Sequence, residues 1–137
     1  AEVFFRHLRR VVPAAAVVLY VPDRGTSDLR AAYSSGAGST AIEATRIPVG
    51  ERISGWAFAH RQVVFNSDAS LDLGPVARTL PVPLRAALVA PVSEGNQCFA
   101  VLTLYGSEEF QRDHRRMLES AAQLLLSTGI LAGPQTT

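Results

Sequence analysis

The sequence contains no lysine, and all thirteen of its basic residues are arginines. This absence excludes reactions that need a lysine side chain, such as phosphate binding by a P-loop, Schiff-base formation or kinase-type phosphoryl transfer. Twelve acidic residues bring the formal net charge to +1. A charge so close to zero produces no large field of one sign, so nothing in the composition favours a nucleic-acid partner.

Cysteine and long apolar runs are equally scarce. The single cysteine, Cys98, cannot form an internal disulfide or a cysteine-rich zinc site, and we expect a reducing, cytoplasmic setting. The longest apolar run covers residues 11–21 and is interrupted by Pro13. A membrane-spanning helix needs about 18 or more apolar residues, so we expect no membrane contact by this domain.

The 137 residues, 47% of them hydrophobic, are enough for one domain with a substantial core. Apolar spacing and turn residues predict an ordered series of helices and strands. The series is a helix ending at Pro13, strands over 14–21 and 29–35, short helices over 39–47 and 51–60, a strand over 63–65, a loop over 67–84, strands over 85–92 and 97–105, and a last helix capped by Ser107. This order predicts an α+β domain over residues 1–131, followed by a tail or linker over 132–137.

The stretch SSGAGSTA, residues 34–41, matches the dinucleotide-binding pattern G-x-G-x-x-[GA] through Gly36, Gly38 and Ala41. That pattern functions only where an uninterrupted helix leads to a parallel strand ending in an acidic residue. Here Pro48 and Gly50 interrupt the helix, and no acid occurs about 20 residues beyond the glycines. We interpret the stretch as a turn after an edge strand, which can still line a small-ligand pocket.

No catalytic or metal-binding pattern is present. The three histidines lie on three different predicted helices, no G-x-S-x-G sequence occurs, and Cys98 falls in a predicted strand, where a thiol is usually structural. We therefore predict no catalytic residues, no metal and no cofactor, although an unidentified small-molecule ligand remains compatible with the sequence.

Four segments together resemble the GAF domain, a sensory module of bacterial signalling proteins. They are residues 47–57 (IPVGERISGWA), 61–68 (RQVVFNSD), 88–92 (LVAPV) and 99–105 (FAVLTLY). Phe110, Asp113, Leu118 and Ala122 fit the final helix of that family. Two positions depart from it: Arg52 replaces a frequent glycine, and Ala100 replaces a strand glycine.

The resemblance implies an antiparallel sheet of five or six strands, with terminal helices on one face and short helices and loops covering a ligand pocket on the other. It also implies a covalently linked output domain in the full-length protein. Relatives that bind cyclic nucleotides carry a lysine-containing signature, and relatives that reduce methionine sulfoxide use several cysteines. This chain has neither set.

The resemblance assigns six residues to the rim or wall of the pocket: Tyr33, Trp56, Phe65, Asn66, Asp68 and Arg85. Each also has a structural alternative. Trp56 can anchor its helix in the core, Asn66 and Asp68 can form a polar turn, and Arg85 can be a solvated strand end. Strand alternation does not tell which face Tyr33 and Phe65 occupy.

The terminal helices carry more apolar residues than one sheet face requires. We predict a homodimer seam formed by Leu8, Val12, Leu124 and Leu131, the alternative being that these helices only pack within one chain. Two functional hypotheses follow. The domain senses a small molecule and relays binding through its terminal helices, or it is a ligand-free dimerisation and linker module. A GAF-like enzyme such as a methionine sulfoxide reductase is a third possibility.

Overall fold

The computed structural model describes residues 2–128, except for the side chain of Glu2. The predicted tail over 132–137 and Leu131 lie outside this range. The helices are α1 (Glu2–Val11), α2 (Ser39–Ala44), α3 (Arg52–His60), α4 (Ser70–Leu73) and α5 (Arg112–Thr128), with a short 3-10 helix at Pro75–Arg78. The strands are β1 (Ala16–Pro22), β2 (Asp28–Gly36), β3 (Arg46–Pro48), β4 (Val64–Asp68), β5 (Ala86–Glu94) and β6 (Gln97–Gly106).

The six strands form one antiparallel sheet in the order β3-β2-β1-β6-β5-β4. Two hairpins, β1–β2 and β5–β6, supply its centre, and β1 pairs with β6 to join them. The central strands are apolar at successive positions because both faces of the sheet are covered. The predicted α+β class and antiparallel sheet are confirmed.

One face of the sheet, the terminal-helix face, packs against α1 and α5. Helix α1 packs on β1, and helix α5 packs mainly on β5. The apolar side chains that the two helices and the residue after α1 direct onto the sheet are fully or almost fully buried: Phe5, Leu8, Val12, Leu118, Ala122 and Leu125. Each completely buried leucine stabilises the fold by about 1.5–3 kcal/mol.

The other face, the short-helix face, is covered by α2, α3, α4 and the 3-10 helix. Its core contains Ile42 of α2, Ile53 and Ala57 of α3, Leu73 of α4 and Ala77 of the 3-10 helix. They pack on strand residues that point to the same side, among them Val18, Tyr20, Val89, Val101 and Tyr105. The family resemblance places a ligand pocket here, between the sheet and the short helices.

The glycine-rich stretch after β2 has a structural explanation. Gly36 has φ +103°, and a Cβ there would collide with the carbonyl oxygen of Ala15. The next residue, Ala37, donates a 2.9 Å backbone hydrogen bond to that same oxygen. Strands β1 and β2, which precede the stretch, are antiparallel, and the helix that follows it, α2, has only six residues. The stretch is therefore a close backbone crossing and not a dinucleotide-binding loop.

Three boundaries differ from the sequence prediction. The end of the predicted helix over 39–47 is instead the edge strand β3, the predicted loop over 67–84 contains α4 and the 3-10 helix, and α5 begins at Arg112, not after Ser107. Among the described residues, no helix is long and apolar enough to cross a bilayer.

Candidate functional site

The short-helix face encloses a buried carboxylate. Asp72 lies in α4 and is completely inaccessible to solvent. Its Oδ1 accepts hydrogen bonds from the backbone N–H groups of Ile53 at 2.9 Å and Ser54 at 3.0 Å. These groups belong to the first turn of α3, where unpaired N–H groups and the helix dipole favour a negative charge. Asp72 thus fixes the start of α3 from a separate helix.

The second oxygen of Asp72 binds two hydroxyl groups. The Ser54 hydroxyl donates to Oδ2 at 2.6 Å, and the Tyr105 hydroxyl donates to the same oxygen at 2.8 Å. Since Tyr105 comes from β6, this carboxylate links α4, α3 and the centre of the sheet. Hydrogen bonds to a charged group in a dry interior are stronger than neutral ones.

Two further hydroxyls complete the network and have defined donor roles. The Tyr105 proton is directed to Asp72, so its oxygen accepts from the Tyr20 hydroxyl at 2.9 Å. By the same reasoning, the Ser54 oxygen accepts from the Thr103 hydroxyl at 2.9 Å. Burial raises the pKa of Tyr20 and of Tyr105 well above the usual tyrosine range, which keeps both phenols protonated.

The buried polar side chains on this face are all engaged within the protein. Within residues 2–128, every buried side-chain nitrogen and oxygen of residues that are not exposed has a hydrogen-bond partner. Apolar side chains of α2, α3 and α4 pack around the network against the sheet. The arrangement joins the short helices to the sheet, and within residues 2–128 it leaves no buried side-chain donor or acceptor unpaired.

Arg52 closes the outer edge of this layer. It adopts φ +58°, a conformation that favours glycine. Its guanidinium donates to the backbone carbonyls of Asp72 at 3.1 Å and Arg46 at 3.5 Å. The side chain therefore spans from α3 to α4 and β3, beside a surface groove of about 360 Å³.

Tyr33 lies on the opposite side of the sheet from the expected pocket. Its ring stacks on Phe5 of α1, with centroids 4.0 Å apart and planes at 16°. It packs against the core of the terminal-helix face. The assignment of Tyr33 to the pocket is wrong, because the strand alternation directs this side chain towards α1.

Trp56 and Phe65 also point away from the short-helix core. Trp56 is 40% exposed and stacks on His60 on the outer side of α3, with ring centroids 4.5 Å apart. The interpretation of Trp56 as a core anchor is therefore wrong, whereas its assignment to a ligand site stays a prediction. Phe65 is 36% exposed on the edge strand β4, and its neighbour Val64 is the residue that packs against the short-helix core.

Asn66 and Asp68 both make structural contacts. The Asn66 side chain donates to the Phe110 carbonyl at 2.8 Å and accepts from the Phe110 N–H at 2.7 Å, which fastens β4 to the segment before α5. Asp68 accepts from the N–H and hydroxyl of Ser70 and pairs with Arg78 at 2.6 Å. These contacts correspond to the polar-turn alternative.

Arg85 is exposed, and its backbone N–H and carbonyl bind Gly106 and Ala69. These backbone contacts correspond to a solvated strand end. The structure therefore does not bring the six predicted residues together into one site.

The terminal helices form a separate apolar depression, the α1–α5 groove, of about 380 Å³. It is lined by residues from both helices, chiefly Phe4, Leu8, Val11, Met117, Ala121 and Leu124. Leu8 and Val12 are 4% and 0% exposed, so the core already covers them and they cannot be the main surface of a dimer seam. Leu124 is 49% exposed, whereas Leu131 lies outside the described residues.

Cys98 lies half-buried on β6, and its thiol donates to the Ala100 carbonyl at 3.3 Å. Burial raises the pKa of this thiol, which lowers its reactivity. Among residues 2–128, no three histidine, cysteine or acidic side chains are grouped so as to hold a metal ion.

Sequence reasoning missed the network around Asp72. The available signal was weak: an acid between two leucines (SLDLG) and tyrosines within two apolar strands. A polar residue at a position that apolar neighbours bury usually has a hydrogen-bond partner, but its identity cannot be read from local spacing.

Comparison with known proteins agrees with the observed fold. The GAF domain B of DevS from Mycobacterium smegmatis superposes with a TM-score of 0.75 at 21% identity, covering 98% of this chain and 93% of that one. The GAF domain of an Acinetobacter phosphoenolpyruvate-protein phosphotransferase gives 0.72 at 15% identity, covering 96% and 80%. The free methionine-R-sulfoxide reductase of Neisseria meningitidis gives 0.71 at 23% identity, covering 95% and 75%.

The comparison with curated proteins gave no match. A family model described as GAF domain matches residues 1–127, nearly the whole chain. With the antiparallel sheet and its two helical layers, this match is decisive: the chain belongs to the GAF domain family.

Proposed function

We propose that this chain is a non-catalytic regulatory domain of a larger signalling protein, and that it acts through its terminal helices. The observation that carries the proposal is the tight packing of the short-helix face, where apolar side chains of the short helices are buried against the sheet around the Asp72 network. Of the two hypotheses from the sequence, this favours the ligand-free association and linker module over the small-molecule sensor.

Opening the pocket would be costly. A ligand beside Tyr105 would have to displace the short helices and break hydrogen bonds to Asp72 that are buried away from water. Each buried group left unpaired costs about 1–3 kcal/mol. A sensor would need a ligand whose own contacts replace these, and no unpaired buried side-chain group within residues 2–128 is aimed at such a ligand.

The α1–α5 groove supplies the surface for association. At its rim, Val11 of α1 is 44% exposed, and Met117 and Leu124 of α5 are 41% and 49% exposed. Val3, also in α1, is 75% exposed. In a symmetric dimer the same patch of two copies meets, so the rim of one copy can enter the groove of the other. The proposed occupant is a second copy of this chain, with Met117 and Leu124 in the seam instead of Leu8 and Val12.

The absence of catalysis is proposed on chemical grounds. Methionine sulfoxide reductases share the fold, but below 25% identity this likeness concerns the fold alone. Reduction of a sulfoxide through an intramolecular disulfide needs two cysteines, and this chain has only Cys98, a thiol whose pKa is raised by burial. A free thiol also fits a reducing compartment, so the proposal includes a cytoplasmic location.

Native mass spectrometry of freshly purified protein, followed by a denaturing spectrum, tests the proposal. We expect the mass of two chains with no retained small molecule. A non-covalent adduct of defined mass, other than phosphate or a phosphate monoester, would overturn the ligand-free account and identify the sensed ligand. A species with the mass of one chain would overturn the association.

A further inference from the structure

A second groove, the α1–β2 groove, lies on the terminal-helix side of the molecule. Its volume is about 320 Å³, and it is lined by Arg6, Arg9 and Arg10 of α1 and by Tyr33 and Ser35 of β2. The arginines are spaced i, i+3 and i+4, which places them on one side of the helix. All three are exposed to solvent.

Contacts within the protein hold the side chains that line the groove in place. Tyr33 and Ser35 are two residues apart on β2 and therefore share a face of the sheet. The Tyr33 ring is held against Phe5 by stacking at 4.0 Å. The Arg9 guanidinium donates to the Ser35 hydroxyl at 3.0 Å, which orients it along the groove. One of its five N–H groups is used in this way, and the others can bind elsewhere.

The charge of this region is unbalanced. Helix α1 contains three arginines and a single acid, Glu2. Like charges at i, i+4 spacing destabilise a helix. Arg9 and Arg10 are in the last turn of α1, where the helix dipole favours cations. That placement does not account for Arg6 or for the two hydroxyl groups in the same groove.

We propose that the α1–β2 groove binds a phosphate monoester or inorganic phosphate. Guanidinium groups form paired hydrogen bonds with phosphate oxygens, and the hydroxyls of Ser35 and Tyr33 add donors for the remaining oxygens. The volume accommodates a phosphate group together with a small organic substituent. The site goes beyond the proposed function, since it lies on the sheet face opposite the closed pocket and outside the α1–α5 groove.

The direct test is a titration of ¹⁵N-labelled protein with inorganic phosphate, monitored by NMR, against sodium chloride at equal ionic strength. We expect saturable shifts at Arg6, Arg9, Tyr33 and Ser35 with a dissociation constant in the millimolar range. Arg6→Gln and Arg10→Gln should each weaken binding by about three- to tenfold, because each removes a charge-assisted contact.

Arg24→Gln is the matched control, because it removes the same charge from the exposed β1–β2 turn. This variant should bind phosphate as the parent protein does. Non-saturable shifts, equal shifts with chloride, or an equal loss of affinity in Arg24→Gln would overturn the site and leave only general charge attraction.

A vesicle assay distinguishes a free phosphate compound from a lipid headgroup. Sedimentation with phosphatidylcholine vesicles containing phosphatidic acid is compared with pure phosphatidylcholine. Co-sedimentation that needs phosphatidic acid and is weakened in Arg6→Gln assigns the site to a headgroup. Saturable binding of inorganic phosphate without co-sedimentation assigns it to a soluble compound. Binding to neither probe overturns the proposal.

Discussion

The hydroxyl of Tyr105 donates a 2.8 Å hydrogen bond to Oδ2 of Asp72, joining the centre of the sheet to α4 through a fully buried pair. The same carboxylate receives the first N–H groups of α3. One bond thus lies at the centre of the layer that closes the expected pocket. The bond therefore couples α4 and the start of α3 to the centre of the sheet.

The first prediction concerns this bond. Tyr105→Phe removes the donor to Asp72 and leaves the Tyr20 hydroxyl without its acceptor. We expect the free energy of unfolding to fall by about 1–3 kcal/mol, measured by urea denaturation followed by circular dichroism. Tyr33→Phe is the control, because Tyr33 is only partly buried and contributes its ring to packing. Equal stability of Tyr105→Phe and the parent protein would contradict the assigned network.

The central strands could be predicted because their signals are local. Strand β1 is a continuous apolar run, and the turn Glu94-Gly95-Asn96 marks the β5–β6 hairpin, so both elements were located within a few residues. Strand β3 has only three residues and continues directly from α2, which explains why a helix was predicted over it.

The candidate site could not be predicted because its members are distant in sequence. Ser54 and Tyr105 lie 18 and 33 residues from Asp72. Trp56 was one candidate to anchor α3 in the core, yet the helix buries Ser54 and Gly55 and exposes Trp56. Counting apolar residues overlooks a buried face made of a hydrogen-bonded serine and a close-packed glycine.

Substitution of Gly55 should change stability in the direction opposite to that usual for a glycine in a helix. A Cβ at this position would collide with the carbonyl oxygen of Pro48, because α3 crosses β3 closely. Glycine to alanine in a helix normally stabilises by up to about 1 kcal/mol, but Gly55→Ala should destabilise by about 1–3 kcal/mol. Ala59→Gly in the same helix should cost about 1 kcal/mol through propensity alone. A stabilised Gly55→Ala variant would show that the two elements are less closely packed.

We expect Asn66 to stabilise the fold in two ways. Its side chain makes two hydrogen bonds, and asparagine tolerates the positive φ of this position better than most residues do. It has φ +59° and binds both polar groups of the Phe110 backbone. Asn66→Gly keeps the conformation and should cost about 1–3 kcal/mol through the lost bonds. Asn66→Ala should cost about 1 kcal/mol more, since alanine disfavours positive φ. Thermal unfolding of both variants separates the effect of the hydrogen bonds from the effect of the backbone conformation. Equal melting temperatures of the two variants would show that the positive φ does not contribute to stability.

Asp68 should make a contribution to stability that depends on pH. Hydrogen bonds from the Ser70 N–H and hydroxyl, and secondarily the charge of Arg78, hold the pKa of Asp68 below its ordinary value of 3.8. A lowered pKa in the folded state stabilises the protein above pH 3.8, and this stabilisation disappears as the pH falls through the lowered value.

Asp68→Asn should therefore be less stable than the parent protein at pH 7, and the difference should shrink in acid. Urea denaturation at several pH values measures it. Arg78→Gln, which removes the smaller contribution, should show the same trend with a smaller amplitude. A difference independent of pH would mean that the charge of Asp68 is not responsible.

The most direct test of the account is the solution mass of a variant in the α1–α5 groove, measured by size-exclusion chromatography with light scattering. Leu124→Glu places a charge on the proposed seam, and Leu71→Glu is the control on an exposed site of α4. We predict a dimer for the parent protein and for Leu71→Glu, and a single chain for Leu124→Glu. A dimer that survives Leu124→Glu, or a monomeric parent protein, would contradict the proposal that the terminal helices associate.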